Sequence, residues 1–562
     1  MLLSENKLLL MTDEKSPARI SHRLLVINRS EMRINMELTL NGIKDTAAWA
    51  GCSLPSYDIE QMRRETSANP VWLHFGSGNI FRAFIAAAAQ RLLNQGDAST
   101  GIICAESTFG TEIITECYRP HDNLCVSVTL NPDGSIDKEV IGSVAESVTI
   151  ADDMDRITDI FCSPSLQLVS FTITEKGYAI KDSSGNLTEV IKKDMENTPE
   201  KCTHLMSLLA ALCIRRFHTC GRPLALVSMD NCSHNGEKLE SAITTIASAW
   251  KENGFITQDE LDYLKTSVSY PWSMIDKITP RPDAQVEASL AADGIKDINA
   301  FVTPGGVYVA PFVNAEKPEY LVIEDDFPNG RPALHKAGIL FTDRDTVNKV
   351  EKMKVCTCLN PLHTCLAIYG CLLGYTSIAS EMNNPQLKSF ITKMAYEEGM
   401  PVVINPGIID PKTFLNEVLT KRLPNPFMPD TPQRIATDTS QKLPIRFGET
   451  IKLHLERRTA GNLKYIPLVL AGWLRYLLAV DDNGDEFTPS SDPLLDECQA
   501  VLSGIALKDQ VDSTRLHPLL SNSNIFGVDL EAAGLAGKVT DYFNELIAGK
   551  GAVLATLKKY TA

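Results

Sequence analysis

Short apolar runs alternate with amphipathic segments from residue 70 onward, and this alternation constrains the fold more than any other feature. The clearest apolar runs, which predict strands, are residues 71–75, 101–106, 166–174 and 223–229. Residues 80–94 form a predicted helix between the first two runs, and Gly96 ends it. Continuous apolar runs are typical of parallel strands that are buried on both faces. Strands that alternate with helices therefore predict an α/β fold with a doubly wound sheet.

The pattern changes after about residue 346, where the chain becomes mostly helical. We therefore predict an N-terminal extension over residues 1–66, a sheet domain over residues 67–345 and a helical domain over residues 346–562. Within the sheet domain, residues 281–330 form a predicted strand-rich insertion. Residues 1–35 lack a clean helical or strand period, and a more domain-like sequence follows Met36. Our hypothesis is that Met36 is the biological start or that residues 1–35 are a dispensable tail.

The chain of 562 residues is acidic, with a formal net charge of -16 and a pI near 5.2. Nucleic acids and anionic membranes require a basic face, so we expect neither as a partner, and an anionic substrate must be met by local Arg and Lys side chains. The apolar stretch at residues 468–480 is interrupted by Arg475 and is shorter than the ~20 residues of a membrane span. No signal-peptide core is visible, so the fourteen cysteines predict thiols in a reducing cytoplasm.

A glycine turn follows the first predicted strand and opens the first predicted helix, where the pyrophosphate of a dinucleotide rests on backbone N–H groups. Glu106 ends the next strand, where an acid can bind the adenosine ribose hydroxyls and repel a 2′-phosphate, so NAD is favoured over NADP. The candidate cofactor residues are Gly76, Ser77, Gly78, Asn79, Phe81, Arg82 and Glu106. Because the third glycine of G-x-G-x-x-G is Phe81 here, a tight turn in a non-binding α/β domain is the alternative.

Residues 351–363 bring a lysine, an amide and an imidazole together just before an apolar helix. Pro361 is favoured at the first helical position, which makes Asn360 the predicted N-cap and puts His363 in the first turn. The partial positive charge of that helix end disfavours an imidazolium, so His363 is predicted to be a neutral hydrogen-bonding partner. Lys354 is then the candidate proton donor to a carbonyl, and the alternative is a surface lysine in a charged linker.

Four cysteines lie around His363 in the same region: Cys356, Cys358, Cys365 and Cys371. Their spacing lacks the CxxC pair of structural zinc sites. We therefore predict buried thiols and no metal.

Motifs spread over residues 70–480 resemble the long-chain mannitol dehydrogenase family of polyol and sugar-acid dehydrogenases. In chain order they are His74-Phe-Gly-Ser-Gly-Asn-Ile-Phe-Arg-Ala, Ile173-Thr-Glu-Lys-Gly-Tyr, Ser228-Met-Asp-Asn, Met274-Ile-Asp-Lys-Ile-Thr-Pro, Asn360-x-x-His363, Arg434-Ile-Ala-Thr-Asp-Thr-Ser-Gln-Lys-Leu-Pro444 and Leu470-Ala-Gly-Trp-Leu-Arg-Tyr. The resemblance implies a Rossmann-type NAD-binding domain, a mostly helical C-terminal domain, and a substrate held between them without a metal.

The family's catalytic lysine lies in a K-x-x-x-x-N-x-x-H pattern, and here Lys354 lies six residues before Asn360 rather than five. Glu351, three residues ahead of Lys354, matches a glutamate of the family and supports Lys354 as the acid/base. The resemblance implies these further roles: amide donors Asn231 and Asn360, an orienting His363, Glu351 as the proton's route to solvent, Asp276 as an organiser, and Arg434 and Lys442 at the far end of the substrate, with Arg281 as an additional cation. Taken singly, such residues are also common in turns, caps and surface ion pairs.

The resemblance implies an NAD-dependent oxidoreductase that interconverts a keto sugar acid and its hydroxy acid. The length of the chain and its candidate cations favour D-fructuronate and D-mannonate within the family. Within the class, the alternatives are the mannitol/fructose and the tagaturonate/altronate pairs. From another class, the alternative is a nucleotide-binding module without catalysis. We expect the protein to be a monomer or a weak oligomer.

Overall fold

The computed structural model describes residues 36–107, 110–182 and 184–562. The predictions for residues 1–35 lie outside these ranges. The fourteen strands are β1 (Trp72–Phe75), β2 (Ile102–Glu106), β3 (Cys125–Leu130), β4 (Ile136–Ile141), β5 (Val144–Thr149), β6 (Leu168–Phe171), β7 (Leu224–Ser228), β8 (Val268–Ser269), β9 (Ser273–Asp276), β10 (Phe301–Val302), β11 (Tyr308–Val309), β12 (Phe312–Ala315), β13 (Tyr320–Glu324) and β14 (Leu340–Thr342), counted over the described residues.

The central sheet has six parallel strands in the order β5-β2-β1-β6-β7-β8. With β3 and β4 left out, because they belong to another sheet, this is the 3-2-1-4-5-6 order of dinucleotide-binding folds. Leu73 of β1 lies opposite Ile103 of β2 and Val169 of β6, and all three side chains are buried. Four of the six strands coincide with the apolar runs of the sequence. The predicted fold class is confirmed.

Two smaller sheets extend this domain, in the orders β12-β3-β4 and β14-β13-β9, and β10 pairs with β11 as a hairpin. The predicted insertion at residues 281–330 thus supplies strands to both sheets, together with the helix Ala284–Asp293. Residues 36–66, the described part of the predicted N-terminal extension, pack against the sheet domain. Trp49 is fully buried in a cluster with Val126 of β3 and Phe312 of β12.

The α-helices and π-helical turns carry most of the remaining chain. The α-helices are Ile59–Ala68, Ala87–Gln95, Thr111–Ile113, Met154–Cys162, Thr174–Tyr178, Glu189–Glu196, Leu205–Thr219, Asn235–Glu252, Gln258–Thr266, Ala284–Asp293, Arg344–Met353, Asn360–Leu372, Ile378–Glu381, Pro385–Lys393, Pro411–Glu417, Pro432–Ala436, Thr439–Leu443, Glu449–Glu456, Tyr465–Leu477, Leu495–Leu502, Ser513–Leu520, Ser523–Phe526, Ala536–Leu546 and Ala552–Thr561. The π-helical turns are Phe81–Ala86, Ile114–Tyr118, Lys354–Cys358, Met394–Gly399, Val418–Arg422 and Pro444–Gly448.

The helical domain is built around two apolar helical stretches. Every residue of Tyr465–Leu477 is buried. The helical run Arg344–Leu372 is long and apolar enough to cross a membrane, but 78% of its apolar window is buried inside the protein. Such burial is typical of the core helix of a globular domain.

Candidate active site

A cavity of about 460 Å³ lies between the sheet domain and the helical domain. The sheet domain contributes Asp230 and Asn231, which follow β7, and the segment at residues 275–279 at the end of β9. Ligands of doubly wound sheets bind outside the carboxyl ends of the strands, where Asp230 and Asn231 lie. β9 belongs to a neighbouring sheet, and its carboxyl end borders the same cavity. The residues from the helical domain include Lys354, Asn360, His363, Arg422, Asp430, Arg434, Lys442 and Arg446.

Lys354 lines the cavity and has only 2% of its surface exposed. Its Nζ donates to Asn231 Oδ1 at 3.0 Å and to the carbonyl oxygen of Ile275 at 2.9 Å, and it lies 3.3 Å from Asp276 Oδ1. Burial lowers the pKa of Lys354, an effect that Asp276 opposes and Arg422 reinforces. The arrangement provides an ammonium group that releases its proton more easily than a surface lysine does.

Lys354 begins a π-helical turn that ends at Cys358. The N–H of Leu359 donates to the carbonyl oxygen of Lys354 at 3.1 Å, five residues back instead of the four of an α-helix. A π-turn takes up one residue more than an α-helical turn. This geometry coincides with the spacing of six rather than five residues between Lys354 and Asn360.

A buried charge network holds Asp276. Arg422 donates through Nη2 to Asp276 Oδ1 at 3.1 Å and pairs with Glu316 at 2.7 Å, and all three residues are buried. Burial opposes ionisation of Asp276, but Lys354 and Arg422 outweigh it and lower the pKa of Asp276 to about 2. Glu316 also accepts from the N–H of Ile278 at 2.7 Å. The network therefore keeps Asp276 ionised beside Lys354.

His363 lies in the first turn of the helix Asn360–Leu372, and its Nε2 is 3.3 Å from Asp430 Oδ2. Burial, reinforced by Arg446 and Arg434, lowers the pKa of His363 to about 3. A pKa this low favours the neutral imidazole at physiological pH. Leu359 rather than Asn360 occupies the N-cap, because the bend after the π-turn makes Asn360 the first helical residue.

Asp230 connects two loops at the carboxyl edge of the sheet. It accepts from the N–H of Ile173 at 2.8 Å, from the N–H of Thr174 at 3.0 Å and from Tyr178 Oη at 2.6 Å. Thr174 has a positive φ of 65°, which is unusual for a β-branched residue and is held by these bonds. Because Asp230 precedes Asn231, this connection also fixes the backbone that carries the lysine's amide partner.

Two predicted residues lie away from the cavity lining. Glu351 is in the helix Arg344–Met353, with Oε2 at 3.5 Å from the backbone nitrogen of His234. Its charge acts on Lys354 and partly opposes the lowering of that residue's pKa. Arg281 is exposed, and its guanidinium lies 5.9 Å from the ring centroid of Tyr308. We therefore do not retain Arg281 as a substrate contact.

The glycine turn between β1 and its helix has the backbone of a nucleotide-binding turn. Gly76 has φ of 109°, and a Cβ there would lie 2.2 Å from the carbonyl oxygen of Thr172, whereas a Cβ on Gly78 would face open space. Ser77 donates its N–H to Glu106 Oε2 at 2.9 Å, and its buried Oγ has no partner in the described ranges. The Oγ of Ser77 and the N–H of Gly78, which have no hydrogen-bond partner among the described residues, are thus available to a pyrophosphate.

Two candidate cofactor side chains point into the domain instead. Phe81 is fully buried and stacks on His74 at 4.2 Å between ring centroids. Arg82 is fully buried and donates to the carbonyl oxygen of Ala310 at 2.6 Å and to Asn79 Oδ1 at 3.0 Å. Both residues lie on the inner face of the helix that follows the turn. Their side chains pack inside the domain beneath the glycine turn and are not exposed for contact with a cofactor.

The described residues contain no group of three or more His, Cys, Asp or Glu side chains arranged for a metal ion. All fourteen cysteines lie in the described part and are free thiols. Cys356, Cys358, Cys365 and Cys371 are buried, as small apolar side chains in a helix and its approach would be.

Comparison with known proteins identifies the group that shares this organisation. The family model described as Mannitol dehydrogenase Rossmann domain matches residues 71–336, and that described as Mannitol dehydrogenase C-terminal domain matches residues 346–547. The chain belongs to the mannitol dehydrogenase family. The resemblance found in the sequence is confirmed, and the protein is an oxidoreductase of this family.

Individual relatives cover nearly the whole chain. A D-mannonate oxidoreductase of Thermotoga maritima is 49% identical over 94% of this chain and 99% of its own length. A D-mannonate oxidoreductase of Escherichia coli is 29% identical over 88% of this chain and 95% of its own. A solved structure of Pseudomonas fluorescens mannitol 2-dehydrogenase, a ternary complex with NAD and D-mannitol, has a TM-score of 0.70 at 25% identity and covers 93% of this chain and 99% of its own.

In this member of the mannitol dehydrogenase family, several cavity residues went unnoticed in the sequence. They are Asp230, Arg422, Asp430 and Arg446, and Glu316, the buried partner of Arg422, was also missed although it does not line the cavity. Asp230 adjoins the predicted Asn231, so its position was a usable signal. Arg422 and Arg446 lie in ordinary-looking helical stretches, and their partners are distant in sequence.

Proposed function

We propose that the protein is an NAD-dependent oxidoreductase that interconverts D-fructuronate and D-mannonate. The observation that carries this proposal is the cavity itself, where a buried lysine with a lowered pKa lies with a cluster of cations that suits a carboxylated substrate. The relative from Thermotoga maritima, named for D-mannonate oxidation, supports the same substrate.

The proposed chemistry divides the work between cofactor and protein. NADH, when bound, supplies the hydride that the carbonyl carbon takes up. Lys354 donates the proton that the carbonyl oxygen needs, and takes it back in the reverse direction. Asn231 receives Lys354 on its Oδ1, so its Nδ2 is left to donate to the developing alkoxide together with Asn360. Neutral His363 donates a hydrogen bond that orients the carbonyl, and Glu351 exchanges the lysine's proton with solvent.

The turn at residues 76–78 holds the cofactor pyrophosphate in this proposal, and Glu106 binds the adenosine ribose. Burial raises the pKa of Glu106 to about 7, and the hydrogen bond from Ser77 opposes this shift. The same burial limits competition from water for hydrogen bonds between this carboxyl group and the two ribose hydroxyls. The tightly turned Gly76 and the open space at Gly78 fit a dinucleotide.

Glu106→Ser is expected to shift cofactor preference toward NADPH, because it removes the carboxylate that repels a 2′-phosphate. The ratio of kcat/KM with NADPH to that with NADH should rise by about tenfold or more, which corresponds to ~1.4 kcal/mol. Steady-state kinetics with both cofactors measures it. Glu116→Ser, a substitution of an exposed acid nearby in the chain, serves as the control. An unchanged ratio in Glu106→Ser would remove the residue from the ribose site.

The proposed function is tested by NADH oxidation, followed by absorbance, with fructuronate, tagaturonate and fructose as separate substrates. We expect the highest kcat/KM with fructuronate. A preference for tagaturonate or fructose would reassign the substrate within the family. Absence of turnover with all three would favour a nucleotide-binding module without catalysis.

We further propose that the protein works in the cytoplasm as a monomer or weak oligomer. Its fourteen cysteines are free thiols.

A further inference from the structure

Two cations in the cavity differ from the others in their lack of an acidic partner. The remaining cavity cations pair with carboxylates: Lys277 with Glu319, Lys354 with Asp276, Arg422 with Asp276 and Glu316, and Arg434 with Asp430. Lys442 and Arg446 form no ion pair with any residue that the structure describes. The helical side of the cavity therefore carries two cations without a direct ion pair, and the carboxylates of Asp438 and Asp492 act on Lys442 only from a distance.

Arg446 is fixed by one of its three nitrogens. It lies in the π-helical turn Pro444–Gly448, and its Nη1 donates to Thr364 Oγ1 and lies 3.5 Å from the carbonyl oxygen of Asn360. Its Nε and Nη2 make no hydrogen bond within the described part of the chain. These two groups form the planar edge that grips a carboxylate with two parallel hydrogen bonds. Arg446 is thus anchored to the helix that carries Asn360 while its binding edge stays available.

Lys442 lies one helical turn before Arg446. Its Nζ donates to the carbonyl oxygens of Ile435 and Thr437, which uses two of its three N–H groups. Burial, together with the charge of Arg446, lowers the pKa of Lys442 to about 8, and burial lowers the pKa of Arg446 to about 10. Burial therefore disfavours the charged form of each side chain, and the negative charge of a bound anion would stabilise both.

Arg434, the arginine singled out by the sequence, is less suited to this role. Asp430 accepts from its Nη2, and 64% of its side chain is exposed to solvent. A carboxylate would have to compete with Asp430 and with water for this guanidinium. Exposed ion pairs of this kind gain little free energy.

We propose that the free Nε–Nη2 edge of Arg446, assisted by Lys442, binds the carboxylate of the substrate and makes the enzyme select sugar acids over neutral ketoses. This inference rests on the proposed function, since it names the group that recognises the acid end of fructuronate. It places that end beside the helix of Asn360 and His363. The carbonyl end then meets Lys354.

The test compares fructuronate with its uncharged methyl ester, using wild type, Arg446→Gln and Arg446→Lys. For Arg446→Gln we expect kcat/KM on the acid to fall by about 100-fold, mainly through KM, while the ester changes little. Arg446→Lys should recover part of the loss, because it keeps the charge without the planar edge. Arg457→Gln, which replaces an exposed arginine of the same domain, is the matched control.

Equal losses on acid and ester would overturn the inference, because they would mean that Arg446 only supports Asn360 and Thr364. A matching drop in the denaturant midpoint of Arg446→Gln would point to that structural role. Calorimetric titration of the NADH-bound protein with D-mannonate and with neutral D-mannitol measures binding without turnover, because NADH cannot accept a hydride from a hydroxy compound. One outcome is that wild type binds D-mannonate more tightly than Arg446→Gln does and still fails to reduce fructuronate. In that case the proposed function fails and the carboxylate site stands. Equal D-mannonate affinity in both proteins overturns the site.

Discussion

Lys354→Met is expected to lower the turnover number on fructuronate by about a thousandfold, within the ~10² to 10⁴ range that general acid–base catalysis contributes. Methionine fills much of the same space and removes the proton donor. The contacts of Lys354 are with Asn231 and Asp276 and not with the glycine turn, so NADH binding should persist. Single-turnover absorbance measures the chemical step, and quenching of protein fluorescence by NADH measures binding.

Lys352→Met is the matched control, since Lys352 is an exposed lysine two residues away, in the helix that leads into the π-helical turn of Lys354. It should keep wild-type turnover. Loss of turnover in Lys352→Met with activity retained in Lys354→Met would reassign the acid/base.

The pH dependence of wild type follows from the lowered pKa of Lys354. Oxidation of the hydroxy acid needs uncharged lysine, so its rate should rise as the pH rises through a pKa below the ordinary 10.5. Reduction needs the charged form, and its rate should fall over the same range. Both limbs should disappear in Lys354→Met.

The sequence predicted the parts of the fold whose signal is local. The strands β1, β2, β6 and β7 are continuous apolar runs, and they were located within a few residues. β4 was not noticed, because its sequence Ile-Asp-Lys-Glu-Val-Ile is half exposed and gains its strand structure by pairing with β3. The parallel pairing of β12 with β3 joins residues that are nearly two hundred positions apart, which no local pattern indicates.

The same distinction applies to the site. Lys354, Asn360 and His363 lie within ten positions, so their spacing and the proline between them made a recognisable cluster. Arg422 carried no such signal, because its partner Glu316 is 106 residues away and the two meet only when the domains pack. Asp430 lies in a proline-rich stretch that sequence patterns mark as a joint between helices. A residue whose role depends on a distant buried partner is therefore found from the structure.

Arg422→Met should lower the free energy of unfolding by about 3–5 kcal/mol, because it leaves Asp276 and Glu316 as buried carboxylates without their shared cation. Lys421→Met, in the same π-turn, breaks only an exposed pair with Glu417 at 3.3 Å and should change stability by less than about 1 kcal/mol. Denaturant unfolding followed by tryptophan fluorescence measures both. A loss in Arg422→Met no larger than that in Lys421→Met would show that the network adds nothing to stability.

A second substitution separates the buried charge from the packing of the arginine stem. Adding Glu316→Gln to Arg422→Met removes one of the two uncompensated carboxylates, so the double variant should be more stable than Arg422→Met alone. In wild type, Asp276 has a pKa of about 2, below its ordinary 3.8, so its stabilising contribution is complete above pH 4 and is lost as the pH falls through about 2. Without Arg422 the pKa of Asp276 rises, and acid unfolding should begin at a higher pH. Arg422 also lowers the pKa of Lys354. Its removal should therefore move the pH at which the rate of hydroxy-acid oxidation rises to a higher value. A purely structural network would not produce this change.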